Sequence, residues 1–246
     1  MRRITATLAA VAVVLVTGCG GGPAAEESSP APETTATSST ARASGPAGEQ
    51  GSVVARTHGD LEVYASPGDA TPASVLPATT EFGSPRALQV VDTDGEWLQV
   101  ALPVRPNGST GWIPRAAVEL RELDEAIEID LAARTLTLYA GGDEVLTTPV
   151  AVGTDTNPTP TGRYYVVDKL DTGDPGGAYG QFAYGLSAHS ESLTEFAGGD
   201  GQVGIHGTND PASIGRAVSH GCIRVPNDIA ARLAEIVNLG TPVTIT

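Results

Sequence analysis

Cys222 stands in the run Ser219-His220-Gly221-Cys222-Ile223-Arg224, and a second run, Ile205-His206-Gly207-Thr208, places His206 16 residues before it. A thiol attacks a carbonyl at neutral pH only when a neighbour takes or stabilises its proton, and a histidine within hydrogen-bond reach is the usual device. His206 needs the fold to bring it close, whereas His220 is two residues away. Gly221 lets the backbone approach a reacting carbonyl, where amide N–H groups stabilise an oxyanion. The pattern points to a cysteine nucleophile. A different class of chemistry would use Cys222, His206 and His220 as zinc ligands, but their spacing lacks the short paired motifs of zinc sites, so neither metal nor cofactor is expected. His189, the third histidine in this stretch, reads as a surface or loop-packing residue.

The other cysteine decides whether Cys222 has a disulfide partner. Cys19 follows Arg2, Arg3 and the apolar run Leu8 to Val16, which is shorter than the ~20 residues of a membrane-spanning helix and has the make-up of a secretory signal. Val16-Thr17-Gly18-Cys19 resembles the lipobox of bacterial lipoproteins, which implies cleavage before Cys19 and diacylation of its thiol. Residues 1–18 are then a lipoprotein signal peptide. An exported thiol normally pairs in an oxidising compartment; with Cys19 acylated, Cys222 has no partner within the chain.

Residues 19–51 form a disordered tether. From Gly20 to Gln50 there is no Val, Ile, Leu, Met, Phe, Trp or Tyr, so this stretch cannot bury enough surface to offset chain entropy. It would reach about 30 Å as a flexible linker. The expected location is exported, lipid-anchored to the outer face of the cell membrane and facing the cell wall. The net charge of −15, with 14 Lys+Arg against 29 Asp+Glu, becomes −17 once Arg2 and Arg3 are removed. It excludes nucleic acid as a partner, because phosphates require a basic stripe.

The elements that must position the chemistry are mainly β. Within 52–122, Leu61-Glu62-Val63-Tyr64 alternates, and Leu88–Val91 and Trp97–Val100 flank Asp94-Gly95, a hairpin signal. The order Asp-Gly-Glu-Trp-Leu then Gly-Trp-Ile-Pro resembles bacterial SH3-like small barrels. Such modules often bind cell-wall peptides; a spacer barrel with both tryptophans in its core is the equal alternative. Within 124–246, Ile127, Ile129 and Leu131 alternate, as do Leu136 and Leu138, and strands are predicted at Glu144–Val152, Arg163–Val167 and Pro242–Ile245. Asp171 to Gly201 reads as a glycine-rich loop. One helix is predicted, capped by Asn227 or Asp228, with Ile229, Leu233, Ile236 and Val237 on one face and Gly240 as its stop.

The two histidine-bearing motifs, with Thr159-Pro160-Thr161-Gly162 and the closing Gly240-Thr241-Pro242-Val243, resemble the L,D-transpeptidases with a YkuD-type catalytic domain. The resemblance covers about half the chain, and it implies a β-sandwich with one packed C-terminal helix. It also implies an acyl transferase whose partners are peptidoglycan stem peptides, as donor and as acceptor. The cysteine attacks the carbonyl of the L-centred third residue of the donor stem, D-alanine leaves, and a side-chain amine of a neighbouring stem resolves the thioester into a 3→3 cross-link. Carried over, Cys222 is the nucleophile and His206 the proton acceptor and donor. The Gly207 carbonyl orients the His206 ring, and N–H groups at His220, Gly221 and Cys222 form the oxyanion hole. Ser219 and His220 shape the loop. Arg224 fixes that loop or meets a substrate carboxylate, and Tyr184 is the candidate substrate contact in the glycine-rich loop. Two neighbouring functions stay open on these residues: an L,D-carboxypeptidase or endopeptidase in which water resolves the thioester, and a non-catalytic wall-binding lipoprotein with a relict site.

Overall fold

A computed structural model of the chain describes residues 51–195 and 199–246; the signal segment, Cys19 and nearly all of the tether lie outside the described residues. The first half contains β1 (Ser52–Arg56), β2 (Leu61–Val63), β3 (Ser74–Leu76), β4 (Ala87–Asp94), β5 (Trp97–Ala101), β6 (Thr110–Pro114) and β7 (Glu119–Leu123). Five of these form an antiparallel sheet in the order β6-β5-β4-β1-β7, and β2 and β3 pair separately. Ala55, Leu61, Val63, Leu88, Leu98, Val100 and Ile113 fill its core. The β4–β5 hairpin turns on Gly95-Glu96, with Asp94 opposite Trp97, one residue later than the Asp94-Gly95 signal suggests. Gly95 takes φ +57°, the conformation a tight hairpin demands at its first central position. Both tryptophans are half-buried, Trp97 packing edge-on against Tyr64.

The second half contains β8 (Glu125–Asp130), β9 (Thr135–Ala140), β10 (Asp143–Pro149), β11 (Val152–Gly153), β12 (Gly162–Asp171), β13 (Phe182–His189), β14 (Gln202–His206), β15 (Ala217–Ser219), β16 (Ile223–Arg224), α1 (Asn227–Ile236) and β17 (Pro242–Ile245). Eight strands join in the order β10-β9-β8-β17-β12-β13-β14-β16. Strand β12 is the pivot: Gly162 to Tyr165 pair with β17, and Val166 to Asp171 pair with β13. It thereby carries the chain from one half of the sheet to the other. Helix α1 buries Ala230 and Leu233 against the same core.

Strand β13 occupies the middle of the stretch read as loop from Asp171 to Gly201. Its sequence, Phe-Ala-Tyr-Gly-Leu-Ser-Ala-His, shows no alternation because both faces are covered: Tyr184, Leu186, Ser187, Ala188 and His189 are all buried. Gly185 belongs there because an added Cβ would sit 2.9 Å from Asp168 Oδ2 and 3.0 Å from Gln202 Nε2.

The run Tyr164-Tyr165-Val166-Val167 in β12 is apolar at every position because each of its faces meets a core. Tyr164 and Val166 join the core of the second half, while Tyr165 and Val167 join that of the first. The Tyr165 hydroxyl donates to the Ala101 carbonyl across the boundary at 2.9 Å. Tyr165→Ala is expected to lower stability by about 3–5 kcal/mol while urea unfolding remains one transition for both halves. Two separated transitions in the native chain would contradict a shared core.

Candidate active site

His206 ends β14, and Cys222 immediately precedes β16, its parallel neighbour, with Ile205 opposite Ile223 and His206 opposite Arg224. Side chains alternate along a strand. Ile205 and Ile223 are fully buried in the core, which turns His206, Cys222 and Arg224 to the other face. There they line one cavity of about 120 Å³, together with Tyr179, Gln202 and His220. The separation in sequence between histidine and cysteine is closed by two adjacent strand ends.

The turn that presents Cys222 is held by two hydroxyls. Ser219 Oγ donates to the Cys222 carbonyl at 2.6 Å and accepts the Gly221 N–H at 3.1 Å. Gly221 has φ +117°, a conformation side chains resist. Its carbonyl accepts a hydrogen bond from Thr159 Oγ1 at 2.8 Å, and that same oxygen accepts the Gly153 N–H at 2.9 Å. Thr159, buried beneath the turn, therefore gives the Thr-Pro-Thr-Gly segment a physical role that the sequence did not disclose. Because the Gly221 N–H is engaged inside the turn, it contributes to loop shape.

His206 is 5% exposed. Its Nδ1–H donates to the Gly207 carbonyl at 2.6 Å, which leaves Nε2 as the ring's acceptor in the neutral form. Burial pulls its pKa down to about 4, with the Arg224 charge acting in the same direction and the Gly207 carbonyl opposing both. The imidazole is thus neutral and able to take a proton. Burial pushes the Cys222 thiol up, against a backbone hydrogen bond with Gly204 and the Arg224 charge. Acid and base rest together as thiol and imidazole.

Asn227 is not the helix cap it resembles. Pro226 holds the cap position with no side-chain bond, and Asn227 Oδ1 accepts the Thr208 N–H at 2.7 Å. The same oxygen would lie 2.2 Å from a Cβ at Gly207 and 2.4 Å from one at Gly180, so glycine is required at both. The first residue of α1 thereby holds the strand end that carries His206. Over the ring lies Tyr179, its centroid 4.7 Å away at a 60° tilt.

Tyr184, expected as a substrate contact, is 1% exposed, and its hydroxyl donates to the Ala230 carbonyl of α1 at 2.6 Å. It is a core residue, and Tyr179 takes the place by the cavity. His189 is buried as well, paired through Nε2 with Asp200 at 2.9 Å, so it is a packing residue and not a surface one. His220 is exposed at the cavity. Arg224 presents a guanidinium whose buried Nε has no hydrogen-bond partner. Among the described residues no group of three or more His, Cys, Asp or Glu is arranged to hold a metal ion.

Residues 124–245 match the sequence profile of YkuD, the L,D-transpeptidase catalytic domain. The second half of this chain is a YkuD-family catalytic domain. It is 44% identical to YkuD of Bacillus subtilis (strain 168) over 48% of this chain and 64% of that protein. It is 28% identical to L,D-transpeptidase 1 of Mycobacterium tuberculosis (strain ATCC 25618 / H37Rv) over 54% of this chain and 59% of that one. The chain therefore spans less than two thirds of the length of these relatives. Among solved structures, an L,D-transpeptidase from Mycobacterium smegmatis aligns at 21% identity with a TM-score of 0.41, covering 65% of this chain and 82% of the other.

Within this YkuD-type domain, thiolate absorbance of Cys222 in the ultraviolet is expected only above the ordinary thiol value of 9.0. Thiolate present in the resting protein at neutral pH, and absent from Cys222→Ala, would contradict the thiol–imidazole ground state.

Proposed function

We propose that this protein is a peptidoglycan L,D-transpeptidase that forms 3→3 cross-links through a thioester on Cys222. The observation that carries this reading is the shared cavity face of His206 and Cys222, with His206 Nδ1 tied to a carbonyl. As Sγ attacks the carbonyl of the third stem residue, its proton passes to His206 Nε2, and the S–C bond forms. The backbone N–H groups of His220 and Cys222 stabilise the oxyanion. The C–N bond to the terminal D-alanine breaks, and Nε2 returns the proton to the leaving amine. An acceptor amine then attacks the thioester carbonyl, giving up a proton to the same nitrogen, the S–C bond breaks, and Nε2 returns the proton to Sγ. Arg224, lacking a hydrogen-bond partner at Nε, receives a carboxylate of the stem peptide.

The same proposal extends to the rest of the chain. Residues 52–122 are an SH3-like module, a reading supported by the antiparallel sheet and its short companion hairpin. Lipid at Cys19 would hold the protein at the outer face of the membrane, with residues 19–51 as the tether and the stem peptides of the wall within reach.

Incubation with a disaccharide-tetrapeptide, followed by mass spectrometry, is expected to show loss of D-alanine, a thioester on Cys222 and then a cross-linked dimer. Tripeptide without dimer would identify water as the acceptor, and full activity in Cys222→Ala would refute the mechanism. The pH profile follows from the depressed pKa of His206. The ring is neutral above about 4 and protonated below it, so activity is retained through mild acid and lost as pH falls through about 4. A midpoint at the ordinary histidine value of 6.5 would show that burial does not govern the base.

A further inference from the structure

One wall of the cavity is held from outside the YkuD-type domain. Arg105 lies in the connection between β5 and β6, in the first half of the chain. Its Nη1 donates to the Ser190 carbonyl at 2.7 Å, and its Nη2 donates to the carbonyls of Asp200 at 2.7 Å and Leu193 at 3.1 Å. Two residues on, the Asn107 side chain pairs with the His189 backbone as another strand would: Nδ2 donates to the His189 carbonyl, and Oδ1 accepts the His189 N–H, both at 2.8 Å. The Ser190 N–H in turn donates to the Gly201 carbonyl at 2.8 Å, closing the two limbs of the segment on each other.

These contacts end on residues that face the chemistry. Ser190, Leu193, Gly201 and Gln202 line the same cavity as Cys222 and His206. Gly201 has φ +81°, and an added Cβ would lie 2.1 Å from the Leu193 carbonyl oxygen and 2.9 Å from Arg105 Nη2, so the backbone is packed against the guanidinium without spare room. A second polar line reaches the same wall. Thr80 donates to the buried carboxylate of Asp168, whose other oxygen accepts from Gln202 Nε2 at 3.3 Å. The bulge in β12 between Val166 and Asp168 re-aims Asp168 out of the strand's alternation.

We infer that Arg105 and Asn107 are positioning residues that set the substrate-binding wall of the catalytic cavity, making the first half of the chain part of the active site. His206 and Cys222 depend on β14, β16 and α1, to which Arg105 makes no hydrogen bond among the described residues. The wall governs how the peptide is held, and the strand ends govern how it reacts. A guanidinium suits this task because its planar fork presents N–H donors from two separate nitrogens in fixed directions, whereas an ammonium donates all its hydrogen bonds from one. The inference rests on the transpeptidase reading only for the identity of the peptide.

The test compares the full chain with Arg105→Ala, Arg105→Lys and Asn107→Ala. Amide exchange at Ser190 and Gln202 is expected to accelerate in Arg105→Ala, while the rate at which iodoacetamide alkylates Cys222 stays within about twofold, since that small reagent needs no wall. KM for the tetrapeptide donor should rise on the order of tenfold with kcat nearly unchanged, the loss of the wall's position expressed as weaker binding. Lysine should restore little of it. Unchanged exchange and KM in Arg105→Ala would overturn the inference. So would a joint fall in kcat, alkylation rate and thermal stability, which is the signature of a general packing role. If the native chain fails to turn over the donor, the transpeptidase reading fails by itself, and exchange with alkylation decides whether Arg105 holds the wall.

Discussion

The hydrogen bond from His206 Nδ1 to the Gly207 carbonyl, 2.6 Å long, is the constraint on which the chemistry depends. It selects the tautomer, aims Nε2 away from the backbone and, in the proposed mechanism, supplies the third member of the catalytic set without a side-chain carboxylate. A carbonyl does this work only if it cannot swing. Gly207 is therefore fixed by Asn227, whose side-chain oxygen holds the Thr208 N–H, and Asn227 opens the helix that buries Ala230 and Leu233. Tyr184 ties that helix back to the central strands through the Ala230 carbonyl. The geometry of one imidazole thus reaches through four contacts into the hydrophobic core.

Burial has two consequences at this site, and they favour the same outcome. It keeps His206 neutral, ready to accept a proton, and it keeps Cys222 protonated until a carbonyl arrives. A neutral pair avoids the desolvation that a resting thiolate and imidazolium would incur where His206 is buried. In the proposed reaction, charge develops only as the S–C bond forms, beside backbone N–H groups and the Arg224 guanidinium. The ground state is quiet and the transition state is where the surrounding dipoles act.

Much of this was legible in the residues. Ser219, His220, Gly221 and Cys222 are chemically informative at any distance, and the alternation of Ile127, Ile129, Leu136 and Leu138 marks strands that are half-covered. What was not legible depends on contacts between distant segments. Strand β13 hides because both its faces are buried, which removes the period of two. Tyr184 and Tyr179 are the same residue type five positions apart, and only the packing of α1 decides that the first is core and the second lies over His206. Asn227 has the composition of a helix cap, yet its oxygen is used by Thr208. Arg105 sits 117 residues before Cys222 in a connection with no motif, and its three carbonyl partners exist only once the two halves share β12.

The tautomer of His206 can be read directly by nitrogen NMR of the ring in ¹⁵N-histidine-labelled protein, with His206→Gln identifying its signals. Near neutral pH the account predicts a neutral ring protonated at Nδ1, with an unprotonated Nε2, persisting in acid until about 4. A ring protonated at Nε2, or an imidazolium at neutral pH, would contradict it.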